Sequence, residues 1–286
     1  MKVLSLFDGI SCGMVALERA NISVERYVAY EIDKCAIQIS KKNYPQIEHC
    51  GDVTTADFTQ YKGFDLLIGG SPCQDLCAIG SKEGLNGTQS KLFFEFVRAL
   101  NEVRPRYFLL ENNASMSNTN KDKISEILGV QPIMIDSSLV SAQLRKRLYW
   151  TNIPFVNMPK NKQIKLADIV QPLEEKEEYN ITERMLSKIP GTRAYKNVWE
   201  SLRQLNQPLR CITASYSLAS TGFSVIDYQN GQYYAPTPIE CERAQTLPDD
   251  YTKGVSNTQR YKCIGNGWTV DVIAHIFRGL TQGGEE

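Results

Sequence analysis

Short apolar runs alternate with segments of helical periodicity over the first half of the chain. In chain order the pattern predicts a strand at 3–7, a helix up to 21, a strand at 27–30, a helix at 34–42, a strand ending at 51–53, a strand at 64–68, a helix at 92–100 and a strand at 107–110. Strands that alternate with helices pair in parallel through right-handed crossovers. The sequence therefore predicts an α/β fold with a doubly wound, mostly parallel sheet.

This alternation is lost after Pro154. Residues 174–178 form a mainly acidic run, which is typical of a solvated surface. Six basic residues follow: Arg184, Lys188, Arg193, Lys196, Arg203 and Arg210. Either contacts to phosphate groups or ordinary surface charge would account for them. An apolar helical face returns over 268–280. These changes predict a core, a small separate region and a C-terminal return to the core, at residues 1–155, 156–235 and 236–286.

Charge and cysteine content narrow the class of protein. The 286 residues have a formal net charge of zero, so any nucleic-acid binding must come from a local basic face. The eight cysteines form no Cys-x-x-Cys pair, and the two histidines do not complete a zinc site with them, which predicts reduced thiols and no metal site. The first residues contain too short an apolar stretch for a signal peptide, and no run is long enough to span a membrane. A cytoplasmic enzyme or binding protein is expected.

Polar residues at three predicted strand ends suit a nucleoside. The segment Asp8-Gly9-Ile10-Ser11-Cys12-Gly13 opens the first helix, where glycine lets backbone amides approach a ligand. Glu31 and Asp52 follow the next two strands, where carboxylates accept hydrogen bonds from ribose or from an adenine amino group. Each alone also suits a surface carboxylate or a helix cap, but together they favour a nucleoside-containing cofactor. The turn lacks Gly-x-Gly-x-x-Gly, which argues against a nicotinamide dehydrogenase.

Three further features suggest chemistry. Cys73 follows the apolar run at 64–68, so it is either a reactive thiol at a strand's carboxyl end or a buried inert one. Glu111 ends another apolar run, so it is either satisfied by partners or held for acid chemistry with a raised pKa. Gln143, Arg145 and Arg147 alternate along a predicted extended segment, which would place them on one face for phosphate or carbonyl recognition or for salt bridges.

Five motifs occur in the order of the DNA cytosine-C5 methyltransferases: Phe7-x-Gly9, Ser71-Pro72-Cys73-Gln74, Glu111-Asn112, Gln143-x-Arg145-x-Arg147 and Gly265-Asn266. The chain resembles that family at both ends. Residues 92–96 and 140–142, with Trp268, look most like the catalytic domain of the animal de novo enzymes and their short bacterial and phage relatives.

The resemblance implies a class I, Rossmann-like methyltransferase that transfers a methyl group from S-adenosylmethionine to C5 of a cytosine flipped out of double-stranded DNA. Cys73 would attack C6 as a thiolate, while Glu111 would hydrogen-bond or protonate N3. Arg147 would hold the O2 carbonyl, and Arg145 would support the flipped nucleotide's phosphate and the thiolate. The region 156–235 would recognise the target.

The resemblance also implies a set of cofactor contacts and no metal. They would come from Phe7, Asp8, Gly9, Ser11, Gly13, Glu31, Ile32, Asp52, Val53, Ser71, Asn266, Gly267 and Trp268. Phe7 and Ile32 would lie against adenine, and Asn266 to Trp268 near the methionyl part. Ser11 and Gly267, with Asn113, depart from the residues that are common in the family, which affects the backbone details of cofactor binding.

Two other functions are compatible with parts of the pattern. A tRNA cytosine-C5 methyltransferase would share the core, but the Cys-Phe-Thr signature of those enzymes is missing from 156–235. A catalytically silent DNA-binding module would not need Cys73, Glu111 and Arg147 together. Double-stranded DNA is thus the expected partner, with a cognate restriction endonuclease as a possible second one.

Overall fold

The computed structural model describes residues 1–71, 91–182, 202–215 and 224–282. The chain forms two compact units. The first consists of Met1–Ile135, Lys146–Met158 and Ile273–Glu286, and the second of Asp136–Arg145 and Pro159–Val272. The division into residues 1–155, 156–235 and 236–286 stays a prediction.

The large sheet confirms the predicted α/β class. Its strands are β1 (Lys2–Leu6), β2 (Arg26–Tyr30), β3 (Glu48–His49), β4 (Leu66–Gly69), β5 (Tyr107–Asn113), β6 (Ile133–Asp136) and β7 (Lys146–Thr151). They lie in the order β3-β2-β1-β4-β5-β7-β6. β1 pairs in parallel with β2 and β4, as β2 does with β3 and β4 with β5, whereas β5 and β7 are antiparallel. The sheet is therefore mostly parallel.

Helices join these strands and have local signals at their ends. They are α1 (Cys12–Arg19), α2 (Lys34–Asn43), α3 (Lys91–Val103) and α4 (Asn118–Leu128). The Asp33 carboxylate accepts hydrogen bonds from the first amides of α2, and the Ser117 hydroxyl does the same for α4. Gly129 then ends α4 in the left-handed conformation, which costs glycine little.

Apolar periodicity explains how α3 packs on the first unit's core. Phe93, Phe96, Ala99 and Val103 recur every three or four residues, and all four are fully buried. They pack in one cluster with apolar residues of β1, β4 and β5. Each buried aromatic or aliphatic side chain of this kind contributes about 1.5–3 kcal/mol through removal from water. The strand ends that carry polar residues are thus built on a rigid apolar base.

Two predicted strand ends are displaced in the structure. β3 ends at His49 rather than at 51–53, because Asp52 instead caps a short 3-10 turn by accepting a hydrogen bond from Thr54. β5 continues to Asn113, so Glu111 lies within the strand rather than after it.

The second unit contains a small sheet in the order β10-β9-β8. Its strands are β8 (Leu202–Gln204), β9 (Val225–Asp227) and β10 (Tyr233–Tyr234). The C-terminal part of the chain forms α5 (Pro238–Ala244), α6 (Asn257–Asn266), α7 (Val270–Phe277) and α8 (Gly279–Gln282). Among the described residues, no helix is long and apolar enough to cross a membrane.

The acidic run at 174–178 is only partly the solvated surface that its composition predicts. Its glutamates are exposed, but Lys176 is fully buried and its Nζ lies 2.7 Å from Glu240 Oε1. The Tyr228 and Tyr234 rings each lie 5.3 Å from the same ammonium. Removing either charge of such a buried pair would destabilise the unit, since the other charge would remain desolvated.

Candidate active site

The end of β4 is held in place by close backbone packing and by a side chain of β5. A Cβ on Gly69 would lie 3.0 Å from the Phe96 ring and 3.1 Å from the Leu6 carbonyl oxygen, so this position favours glycine. Beyond it, Ser71 is buried, and Asn112 Nδ2 donates to its carbonyl and hydroxyl oxygens, each at 3.4 Å. Cys73 follows two residues later and lies outside the described residues.

Glu111 and Arg147 form an ion pair in the first unit. Arg147 Nε lies 2.8 Å from Glu111 Oε1, and the two side chains are only 13% and 11% exposed. The sequence allowed Glu111 to be either satisfied by a partner or held for acid chemistry. In the structure, Arg147 is a charged partner of Glu111. An ion pair with so little exposure is screened weakly by solvent, so it fixes the orientation of the carboxylate.

The strand register brings these two residues together. Glu111 lies opposite Tyr149 in the antiparallel β5–β7 pair, and Arg147 lies opposite Asn113. Residues two apart along a strand point to the same face, so Glu111 and Arg147 are diagonal neighbours on one face. A one-residue shift of register would separate them.

Gln143 and Arg145 bind other groups than Arg147 does, and the predicted common face of the three side chains stays a prediction. The Gln143 side chain is fully buried in the second unit, where Oε1 accepts from the Ile212 amide at 2.9 Å. Arg145, only 4% exposed, donates to the carbonyl oxygens of Ile212, Gly265 and Gly267 at 2.8, 3.1 and 2.9 Å. Arg145 is held there because carbonyl groups at the end of a helix, here α6, lack partners within the helix and need hydrogen-bond donors. The predicted contact of Arg145 with a nucleotide phosphate stays a prediction.

The turn between β1 and α1 has an unusual backbone. Phe7, Gly9 and Ser11 all have left-handed φ values, at 57°, 60° and 59°. Gly9 donates its N–H to Glu31 Oε2 at 2.8 Å, and Glu31 Oε1 accepts from the amides of Ile32 and Asp33, also at 2.8 Å. The ends of β1 and β2 are therefore joined through one carboxylate. Gly13 is buried in the first turn of α1.

Asp8 in the same turn lies among hydroxyl groups. Ser5 and Tyr27 donate to Oδ1 at 2.6 and 2.7 Å, and Ser11 donates to Oδ2 at 2.5 Å. Burial raises the pKa of Asp8, and the three donors oppose that shift. Sequence reasoning missed Ser5 and Tyr27 because both look like ordinary strand residues. A buried serine within an apolar strand was the one signal available.

The remaining predicted cofactor contacts of the first unit lie at the ends of β2 and β3. Ile32 is 71% exposed, which is high for a large aliphatic side chain next to a strand. Asp52 is exposed, and Val53 beside it is buried. The structure thus places Phe7, Glu31 and Ile32 on adjoining strand ends, with Asp52 after the next strand of the same sheet.

The other three predicted contacts lie in the second unit, at the end of α6. Asn266 is its last residue and is exposed, Gly267 caps it, and Trp268 follows half-buried. A Cβ on Gly265 would lie 2.2 Å from the backbone carbon of Thr213, so only glycine fits there. The Gly-Asn-Gly segment is therefore fixed by close packing on one side and by the Arg145 hydrogen bonds on the other.

Comparison with known proteins gives one family. The model of the C-5 cytosine-specific DNA methylases matches residues 1–131 and 141–282. The orphan methyltransferase M.Rho11sI of Bacillus phage rho11s is 33% identical over 186 residues, which are 63% of this chain and 35% of that protein. The type II methyltransferase M.NlaX of Neisseria lactamica is 28% identical over 300 residues, which are 96% of this chain and 94% of that protein. The chain thus spans about a third of the phage relative and nearly all of the bacterial one.

A solved structure shares the fold. The Entamoeba histolytica methyltransferase EhMeth superposes with a TM-score of 0.84 at 19% identity, covering 100% of this chain and 99% of that one. Identity at this level supports the fold and leaves the chemistry to be argued from the residues.

Proposed function

The chain belongs to the C-5 cytosine-specific DNA methylase family, and from this premise we propose that it methylates a cytosine flipped out of double-stranded DNA through a covalent bond to Cys73. As a member of that family it is a DNA cytosine-5-methyltransferase dependent on S-adenosylmethionine. C5 of cytosine is out of reach of an enzyme's catalytic groups inside a duplex, so the base must leave the stack.

The observation that carries the proposal is the Glu111–Arg147 pair next to the strand that leads to Cys73. β5 carries Glu111 and is the parallel neighbour of β4, whose continuation holds Cys73. The adjacent residue Asn112 bonds to Ser71, two residues before Cys73. This arrangement supports a site where a thiol, a carboxyl group and a guanidinium meet one flipped base.

These groups would supply the chemistry that C5 lacks. The Cys73 thiolate forms a bond to C6, and the electron pair displaced from the ring accumulates at N3. There Glu111, once it has taken up a proton from solvent, donates a hydrogen bond or that proton. Arg147 donates to O2 and keeps the Glu111 carboxyl group in line with N3. C5 thereby becomes nucleophilic. After methyl transfer a base removes the C5 proton, the C5–C6 double bond re-forms, Cys73 leaves as a thiolate and the N3 proton returns to Glu111.

The strand ends of the first unit fit the nucleoside part of S-adenosylmethionine. Glu31 uses three backbone N–H groups, while an ionised carboxylate has about four acceptor positions, so Oε2 retains capacity for a ribose hydroxyl. Ile32 presents an exposed apolar surface for a purine, and the space that a Cβ on Gly9 would occupy has no atom within 4 Å. When bound, the cofactor would supply an electrophilic methyl group on a sulfonium and would leave as the thioether S-adenosylhomocysteine. The contacts from Asn266, Gly267 and Trp268 stay predictions.

DNA recognition is assigned to residues 156–235, where the predicted basic series lies. Arg184 and Arg193 fall outside the described residues, whereas Arg203 and Arg210 lie within the second unit. One relative is named a type II methyltransferase and another an orphan methyltransferase. A cognate restriction endonuclease is accordingly proposed as a possible partner.

Methyl transfer from labelled S-adenosylmethionine distinguishes this function from its alternatives. The chain is expected to label mixed-sequence duplex DNA, and nucleoside digestion should place all of the label in 5-methylcytosine. Bulk tRNA in a parallel reaction should remain unlabelled. Label in tRNA alone would support an RNA substrate, and binding of DNA without label in either nucleic acid would support a silent DNA-binding module.

Glu31→Ala is expected to weaken S-adenosylmethionine binding by about 1–3 kcal/mol, roughly 5- to 150-fold in Kd, because charge-assisted hydrogen bonds are lost. Isothermal titration calorimetry measures this directly. Glu25→Ala is the matched control, since Glu25 is an exposed glutamate whose side chain pairs with Lys2 at 3.6 Å. Equal Kd values for the two variants would place Glu31 outside the cofactor site.

A further inference from the structure

A chain of side-chain hydrogen bonds runs behind the turn that follows β1. Ser11 Oγ donates to Asp8 Oδ2 at 2.5 Å and lies 2.6 Å from Ser40 Oγ. Ser40, in α2, lies 3.1 Å from Nε2 of His49, the last residue of β3. Both serines are fully buried. These hydrogen bonds therefore connect the ends of β1 and β3 through the interior of the first unit. Neither Ser40 nor His49 was among the predicted site residues.

The direction of each bond follows from the capacity of each group. Asp8 accepts from the hydroxyl groups of Ser5, Tyr27 and Ser11, so the single hydroxyl proton of Ser11 goes to Asp8. Ser11 Oγ must then accept from Ser40, which leaves Ser40 Oγ to accept from N–H at His49 Nε2. His49 is thereby fixed as the Nε2–H tautomer.

The other ring nitrogen of His49 supports this assignment. Nδ1 is buried and has no hydrogen-bond partner among the described residues. A proton on Nδ1 would be an unsatisfied buried donor, which is costly. Burial, with Lys41 nearby, lowers the pKa of His49, and Glu31 opposes that shift. The imidazole is thus kept neutral and donates through Nε2.

The turn between β1 and α1, which contains Asp8, needs support from these hydrogen bonds. Phe7 and Ser11 are not glycines, yet both have left-handed φ values, which cost about 1–2 kcal/mol each. Backbone of this kind persists only where the surrounding structure determines it. The Asp8 carboxylate, between these residues, is held by hydroxyl donors, and Ser11 is the donor that the chain from His49 orients.

We propose that Ser40 and His49 are positioning residues for the cofactor site. They hold the Ser11 hydroxyl on Asp8 and so keep the Gly9 N–H directed at Glu31, without touching the cofactor themselves. This inference rests on the proposed placement of S-adenosylmethionine at these strand ends. Loss of this series of hydrogen bonds should therefore weaken cofactor binding more than it slows the methyl-transfer step.

Ser40→Ala in the full-length chain tests this directly. We expect the calorimetric Kd for S-adenosylmethionine to rise about five- to tenfold, the size of one lost buried hydrogen bond, with kcat at saturating cofactor within about twofold of wild type. Ser125→Ala is the matched control, because Ser125 is also a buried helical serine of the first unit and accepts a bond from Trp150 Nε1 at 3.0 Å. That control should lower Tm and leave Kd unchanged.

A pair of variants at His49 provides an independent measurement should Ser40→Ala fold poorly. His49→Gln retains an N–H donor near the Nε2 position and should keep Kd near wild type, whereas His49→Leu should raise it as Ser40→Ala does. In the wild-type chain, nitrogen-15 NMR should show His49 as the Nε2–H tautomer at neutral pH.

The outcomes separate this inference from the proposed function. Normal wild-type binding combined with an unchanged Kd in Ser40→Ala or His49→Leu would overturn the positioning role alone, as would an Nδ1–H tautomer. A wild-type chain that binds no S-adenosylmethionine would overturn the cofactor placement and this inference with it.

Discussion

Cys73→Ser is expected to reduce DNA methylation by at least about a thousandfold. A serine hydroxyl is not ionised near neutral pH, so it cannot add to C6 as a thiolate does. The hydrogen bond from Asn112 to Ser71 and the ion pair between Arg147 and Glu111 do not involve this sulfur atom. DNA and S-adenosylmethionine should therefore bind with affinities close to wild type.

The measurement is initial-rate transfer of labelled methyl groups to duplex DNA, with calorimetry for the two binding constants. Cys77→Ser is the matched control, because it makes the same atomic change four residues further along the chain. That control should retain activity. Turnover by Cys73→Ser within a few fold of the control would remove Cys73 as the nucleophile.

Local patterns were sufficient to predict the framework of the first unit. Apolar runs of four or five residues gave β1, β2, β4 and the start of β5, because buried parallel strands must be apolar on both faces. The helical spacing of Phe93 and Phe96 gave α3 in the same way. Polar residues just after these runs were then expected at one sheet edge, and Glu31 does lie within hydrogen-bond distance of the turn after β1.

These local patterns could not predict which strands, distant in the sequence, pair with each other. β7 lies between β5 and β6 and is antiparallel to β5, and no local signal encodes that choice of neighbour. The Glu111–Arg147 pair depends on this register, so the sequence suggested chemistry for each residue without showing their contact. Alternation alone predicts a common face for Arg145 and Arg147, but it does not predict that Arg145 binds the carbonyl oxygens at the end of α6.

Buried polar residues were the other gap. Lys176 within an acidic run and Ser40 within a helix look like surface residues, yet both are fully buried. Each is tolerated because its polar atoms have partners from distant parts of the chain, Glu240 for Lys176 and Ser11 for Ser40. Such partners become visible only when the fold is known.

Duplex DNA containing 5-fluorocytosine at the target base is expected to become covalently attached to the chain. Cys73 adds to C6 and the methyl group transfers to C5, but the cycle then requires removal of a C5 proton. Fluorine takes the place of that proton and cannot leave as a cation. The bond between Sγ and C6 therefore persists, and the adduct should survive boiling in detergent.

Three comparisons define this measurement. The adduct should form efficiently only when S-adenosylmethionine is present, and it should be missing with Cys73→Ser. With Glu111→Gln it should form roughly a hundredfold more slowly, since a glutamine cannot protonate N3. A protein band of unchanged mobility, from a preparation that methylates ordinary cytosine in the same duplex, would contradict covalent catalysis by Cys73.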